Sequence, residues 1–228
     1  MLRHTVKAMV WGNLALAAAW PIHAQDAKSP YPTMAPIEQY RMDRDAEIAL
    51  ARTAAPASVT RDAEIMVMGQ KNFEIAVHGK DGSVCLVGRA FMGPVSNPEF
   101  WNPKNRSPIC MNPPAVRSLL PYAMKQAEMA MAGASKAQIT EAIRTAVAKK
   151  ELGVPEAGSM AYMMSKEAYL TDQGGHNLAH VMFELPSNSP LQDNGSFVSW
   201  DPAPVIEFNV PVGQWSDGSS EETASHSH

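Results

Sequence analysis

Residues 63–91 read AEIMVMGQKNFEIAVHGKDGSVCLVGRAF, and the period of this stretch decides the fold. Ala63–Met68 is a short apolar run of strand length, followed by turn residues at Gly69-Gln70-Lys71-Asn72. Phe73–His78 sets Phe73, Ile75 and Val77 against Glu74, Ala76 and His78, the two-residue period of a strand. Lys80-Asp81-Gly82 is a second turn, and Ser83–Phe91 a third strand that carries Cys85. Strands joined by such tight turns predict an antiparallel meander.

Toward the N-terminus, a helix is expected over 36–54. Pro36 suits its first position, and Glu38, Asp43, Asp45 and Glu47 suit the positive end of its dipole. Toward the C-terminus, 92–111 reads as a long irregular loop. It holds Asn97-Pro98, Asn102-Pro103 and Pro108, with Phe100 and Trp101 in its middle. A helix over 113–132 opens at Pro113-Pro114 and kinks or restarts at Pro121. The next begins at Ser135, with Gln138 at capping-box spacing and Ile139, Ile143 and Val147 at helical intervals. Residues 159–164, 181–185 and 204–212 read as strands. The expected fold class is α+β, an antiparallel meander sheet packed with about three helices in a single domain. The expected division is a signal peptide at 1–24, a flexible segment at 25–35, the domain at 36–213 and a disordered tail at 214–228.

The signal peptide is read from a basic front at Arg3 and Lys7, an apolar middle from Val10 to Trp20, and an exit at Pro21-Ile22-His23-Ala24. The apolar run is shorter than the ~20 residues that span a membrane. Cleavage would leave Gln25 first and an exported, soluble protein, periplasmic or secreted, with no stable membrane insertion. Losing Arg3 and Lys7 would take the formal net charge from −4 to −6. The longest basic run is Lys149-Lys150, so nucleic-acid binding is not expected. An oxidising compartment predicts a disulfide between the chain's two cysteines, Cys85 and Cys110.

No catalytic motif names an activity. There is no G-x-S-x-G, H-E-x-x-H or phosphate-binding loop. The best constellation is Gly174-Gly175-His176-Asn177-Leu178-Ala179-His180. On a helix, His176 and His180 would share a face and could hold a divalent metal, but the glycines and Val181-Met182-Phe183 favour a strand. In a strand they would lie about 13 Å apart, so chelation needs a curled loop, with Asp172, Glu184 or His78 as third ligand. The chain has 15 methionines. Thioethers serve soft metals such as copper, and they also fill irregular cores, which is the reading favoured here.

The segments Met42–Ala55, NPEFWNP at 97–103, PICMNPP at 108–114, MMSK at 163–166 and VPVGQWSDG at 210–218 resemble a group of small exported bacterial proteins with no assigned function. The group's histidine segment carries an extra His and a Pro where this chain has Leu178 and Ala179. The resemblance implies export and a single domain, and no activity.

The expectation is a binding or accessory domain for a small molecule or a protein, with no cofactor. Its site would lie where the 92–111 and 171–180 loops meet, Trp101 giving an apolar wall and Asp172, His176 and His180 the polar groups. The alternatives are a metal-dependent enzyme centred on His176 and His180, and a copper-handling protein using Met and His.

Overall fold

A computed structural model describes residues 29–174, 178–187 and 197–221. Among them are eight strands in one sheet and five α-helices, so the mixed α+β class holds. The chain begins with a 3-10 turn at Ile37–Tyr40, then α1 (Arg44–Arg52) and α2 (Ala57–Thr60). The expected helix over 36–54 is thus broken. Asp43 caps α1, its Oδ1 accepting the N–H groups of Asp45 and Ala46 at 3.0 Å each.

Strands β1 (Glu64–Met68), β2 (Phe73–Val77) and β3 (Val84–Gly88) follow, and their arrangement corrects the meander. β1 and β2 pair antiparallel, but β3 pairs parallel with β1 on its other side, so the sheet is mixed. Burial gives the reason. All five residues of β3 are buried, as a central strand covered on both faces requires, whereas β2 exposes Glu74 and Ile75 at the sheet's edge. The chain reaches β3 by crossing beneath the start of β1, where a Cβ on Gly79 would stand 2.2 Å from the Glu64 nitrogen.

β4 (Ser107–Met111) pairs antiparallel with β3 inside the segment expected to be irregular. Pro108 is tolerated because β5 pairs with β4 only at Cys110 and Met111. Cys85 and Cys110 are register partners with sulfurs 1.99 Å apart. Next come α3 (Pro113–Ser118) and α4 (Leu120–Met131), divided at Leu119 beside Pro121, and α5 (Lys136–Ala148), opened by the Ser135–Gln138 capping box. The sheet is completed by β5 (Met160–Met163), β6 (His180–Pro186), β7 (Phe197–Ser199) and β8 (Val205–Pro211), in the order β2-β1-β3-β4-β5-β6-β8-β7.

Two cores flank the sheet. On one face Leu50, Ala51 and Ala54 pack on Ile65, Val87 and the disulfide. On the other, α4, α5 and the 90–101 segment bury Phe91, Phe100, Tyr122, Ile139 and Ile143 against Leu86, Met111 and Met182. Both termini of the described chain are tied down. Tyr31 donates to Asp172, and Trp215 is buried with Met164 and Ala179, so residues 214–221 pack on the domain. Among the described residues, no helix is long and apolar enough to cross a membrane. The expected signal peptide and residues 222–228 lie outside the described residues.

Candidate functional site: a cavity over a buried carboxyl pair

Along a strand, alternate residues share a face. In β6 that alternation groups His180, Met182 and Glu184, and in β8 Glu207 and Asn209. The β6–β8 register sets Met182 opposite Asn209 and Glu184 opposite Glu207. Directly opposed residues hold their Cβ atoms about 5 Å apart, a spacing at which like charges destabilise a sheet. Both carboxyls are withdrawn from water, Glu184 at 5% exposure and Glu207 at 9%.

Neighbouring donors satisfy this pair incompletely. The Trp200 indole Nε1–H donates to Glu207 Oε2 at 3.2 Å. Glu184 Oε2 and Asn209 Oδ1 are buried with no hydrogen-bond partner among the described residues. Burial, followed by the charge of Glu207, pushes the Glu184 carboxyl well above its ordinary value. Burial also raises Glu207, against hydrogen bonds from Asn209 and Trp200.

Above this part of the sheet lies a cavity of about 270 Å³. Its floor is Leu86, Ile109, Met111, Met163 and Met182, and its roof includes Met92, Pro94 and Ala123. Its polar groups include Asn105, Ser107, His180, Trp200, Glu207 and Asn209. A mostly apolar hollow of this size with a few converging polar groups is the usual form of a small-molecule site.

No protein-family model, curated protein or solved structure matches this chain. The site is therefore read from its own chemistry.

The sequence-expected residues distribute as follows. His180 opens β6 and lines the cavity at 7% exposure. Its Nδ1–H donates to the Leu178 carbonyl at 2.6 Å, which leaves the lone pair on Nε2. Burial lowers its pKa. His176 lies outside the described residues. Asp172 is an anchor for other segments. It accepts from Tyr31, from the Tyr169 hydroxyl at 2.5 Å and from Lys104 at 3.1 Å, and these bonds hold its carboxyl far below the usual range. Trp101 stands in the core rather than on the cavity wall. It is edge-on to Phe100, and its carbonyl accepts from the Tyr40 hydroxyl at 2.8 Å. His78 is exposed at the end of β2, five strands from β6 and so roughly 24 Å away across the sheet. Among the described residues, no three of His, Cys, Asp and Glu form a group that could hold a metal ion.

The two loops singled out from the sequence do come together. The Asp172 N–H donates to Glu99 Oε2 at 3.2 Å, and Lys104 Nζ donates to Asp172 Oδ1 at 3.1 Å. Just before the second loop, Arg106 and Tyr169 exchange backbone hydrogen bonds at 2.8 and 2.9 Å, and Asn105 Nδ2 donates to the Leu170 carbonyl at 2.9 Å. Leu170 and Thr171 then line the cavity beside Met92, Gly93 and Pro94. A buried ion pair stiffens its rim. Arg89 donates to Glu47 Oε1 at 2.9 Å, to the Tyr40 carbonyl at 2.7 Å and to the Val87 carbonyl. Burial lowers the Arg89 pKa to about 10, so the guanidinium is charged at neutral pH.

Sequence reasoning missed Trp200, Glu207 and Asn209. In Val205–Pro211 the polar residues alternate with Ile206, Phe208 and Val210. That pattern marks a strand with two unlike faces, and the polar one ordinarily reads as the solvent side. Here the polar side faces the cavity.

Proposed function

We propose that the chain is an exported, soluble single-domain protein that binds a small molecule in the cavity over β6 and β8, in a binding or accessory role. The observation that carries this reading is the combination of an apolar hollow of about 270 Å³ with two polar residues in its lining: buried Glu207, opposed by Glu184, and Asn209, whose buried Oδ1 has no hydrogen-bond partner among the described residues. Opposed buried carboxyls weaken a fold, and such departures from local rules concentrate at functional sites. Export is supported by the N-terminal sequence pattern and by the Cys85–Cys110 pair at bonding distance. Titration of the mature protein with the neutral dye N-phenyl-1-naphthylamine tests the cavity. Saturable enhancement of emission at about one dye per chain supports the reading, and emission rising linearly with dye counts against it.

A second reading, handling of a soft metal such as copper, is favoured by one arrangement. Met163 is the register partner of His180, whose Nε2 carries the lone pair, and Met182 lies two residues on along the same face. Metal analysis of protein isolated from the exported fraction without a histidine tag distinguishes the two. One copper per chain favours the metal reading, and metal-free protein favours the organic ligand.

A further inference from the structure

We propose that the cavity's ligand is a small organic cation, an alkyl- or arylammonium, whose N–H groups are held by Glu207 and Asn209. This rests on reading the cavity as a ligand site. The argument begins from an imbalance of donors and acceptors. Buried polar groups are hydrogen-bonded in nearly all native structures, so those that are not need a reason. Here both orphaned atoms, Glu184 Oε2 and Asn209 Oδ1, are acceptors. Asn209 lines the cavity with Glu207, and Glu184 is the register partner of Glu207 on the same face of the sheet, off the lining. The Trp200 indole is already engaged with Glu207. A ligand that completed this cluster would have to bring donors, and an ammonium brings three and accepts none.

Charge points the same way. Arg89, the permanent cation among the described lining residues, is neutralised by Glu47. His180 donates to a backbone carbonyl, and burial favours its neutral form. A buried carboxylate is tolerated when paired, and among the described residues no cation reaches Glu184 or Glu207. An anion would meet the Glu207 carboxyl with no countercharge beside it. A polyol would leave its hydroxyls against Leu86, Ile109 and Met111. An ammonium on an apolar body matches both parts of the hollow, and the Trp200 ring beside Glu207 is a further favourable neighbour for a cation.

Isothermal titration of the mature protein with 2-phenylethylammonium and with its neutral counterpart 2-phenylethanol tests this. The ammonium is expected to bind about 10- to 100-fold more tightly than the alcohol, the range of a hydrogen bond to a charged group. Glu207→Gln should erase most of that preference, with melting curves showing that the variant folds. Equal affinities for the two probes, or a preference that survives Glu207→Gln, would overturn the proposal. Dye binding without ammonium binding would overturn the ligand class alone. Failure of dye, ammonium and alcohol together would overturn the cavity as a ligand site.

Discussion

Replacing Glu184 with Gln should make this protein more stable. In the unfolded chain Glu184 is solvated and ionises at its ordinary value of 4.5. In the fold it is 5% exposed and opposed by Glu207, and burial together with that charge raises its pKa well above 4.5. Each pH unit by which the folded value stands above the ordinary one costs ~1.4 kcal/mol once the pH is above both. An amide of the same shape avoids that cost and can donate to Glu207. Allowing for imperfect hydrogen-bond geometry, Glu184→Gln should gain about 1–3 kcal/mol at pH 7.5. For a domain of this size that is roughly 3–10 °C in melting temperature.

The sign of the pH dependence follows from the raised pKa. The stability attached to Glu184 is fully present below pH 4.5 and is lost as pH rises through the folded value, so the gain from Gln should grow with pH. Glu207 acts in the same direction. His180, lowered by burial, acts in the opposite one, its contribution growing as pH rises from the folded value toward the ordinary 6.5 and constant above it. His180 remains in the variant and cancels, so the difference between the two proteins reports the Glu184–Glu207 pair. Urea unfolding at pH 5, 6, 7 and 8 measures it. A variant less stable than the parent at pH 8, or a difference that does not change with pH, would refute the reasoning.

Glu47→Ala should lower stability by about 3–5 kcal/mol in urea unfolding, because it leaves the Arg89 guanidinium, 2% exposed, without its carboxylate. Gly79→Ala should cost about 3 kcal/mol in the same assay, since the new Cβ meets only backbone, at 2.2 Å from the Glu64 nitrogen and 2.8 Å from the Ala63 carbonyl carbon. Cys110→Ser should cost about 2–5 kcal/mol, and non-reducing peptide mapping of the parent protein should show Cys85 and Cys110 in one linked pair.

Local signals in the sequence were legible where local chemistry decides the structure. The Ser135–Gln138 box opens α5 because its two hydrogen bonds lie within one turn, and the helix divides beside Pro121 because a proline cannot donate there. The strand order was not legible. The turn at Lys80-Asp81-Gly82 is as compatible with crossing under β1 as with a hairpin, and only the burial of all five β3 residues puts that strand in the centre. β4 was hidden because Pro108 reads as a breaker, although its missing N–H falls where β5 does not pair. Trp101 reads equally as a loop aromatic or a core residue, and its place against Phe100 is set by packing. The carboxyl pair joins Glu184 to Glu207, 23 residues further along the chain. Only the register of β6 on β8 brings them face to face, and register is a long-range property.

Four methionines, Met92, Met111, Met163 and Met182, line the cavity, whereas Met42, Met129 and Met131 do not. Methyl spectra of the mature protein labelled with 13C at the methionine methyls, recorded during titration with N-phenyl-1-naphthylamine, therefore test the central claim directly. The ring currents of a bound dye should shift the four lining methyls in proportion to one saturating site and leave Met42, Met129 and Met131 in place. Shifts confined to those three, or no saturable shift at Met111, Met163 and Met182, would contradict the cavity as the ligand site.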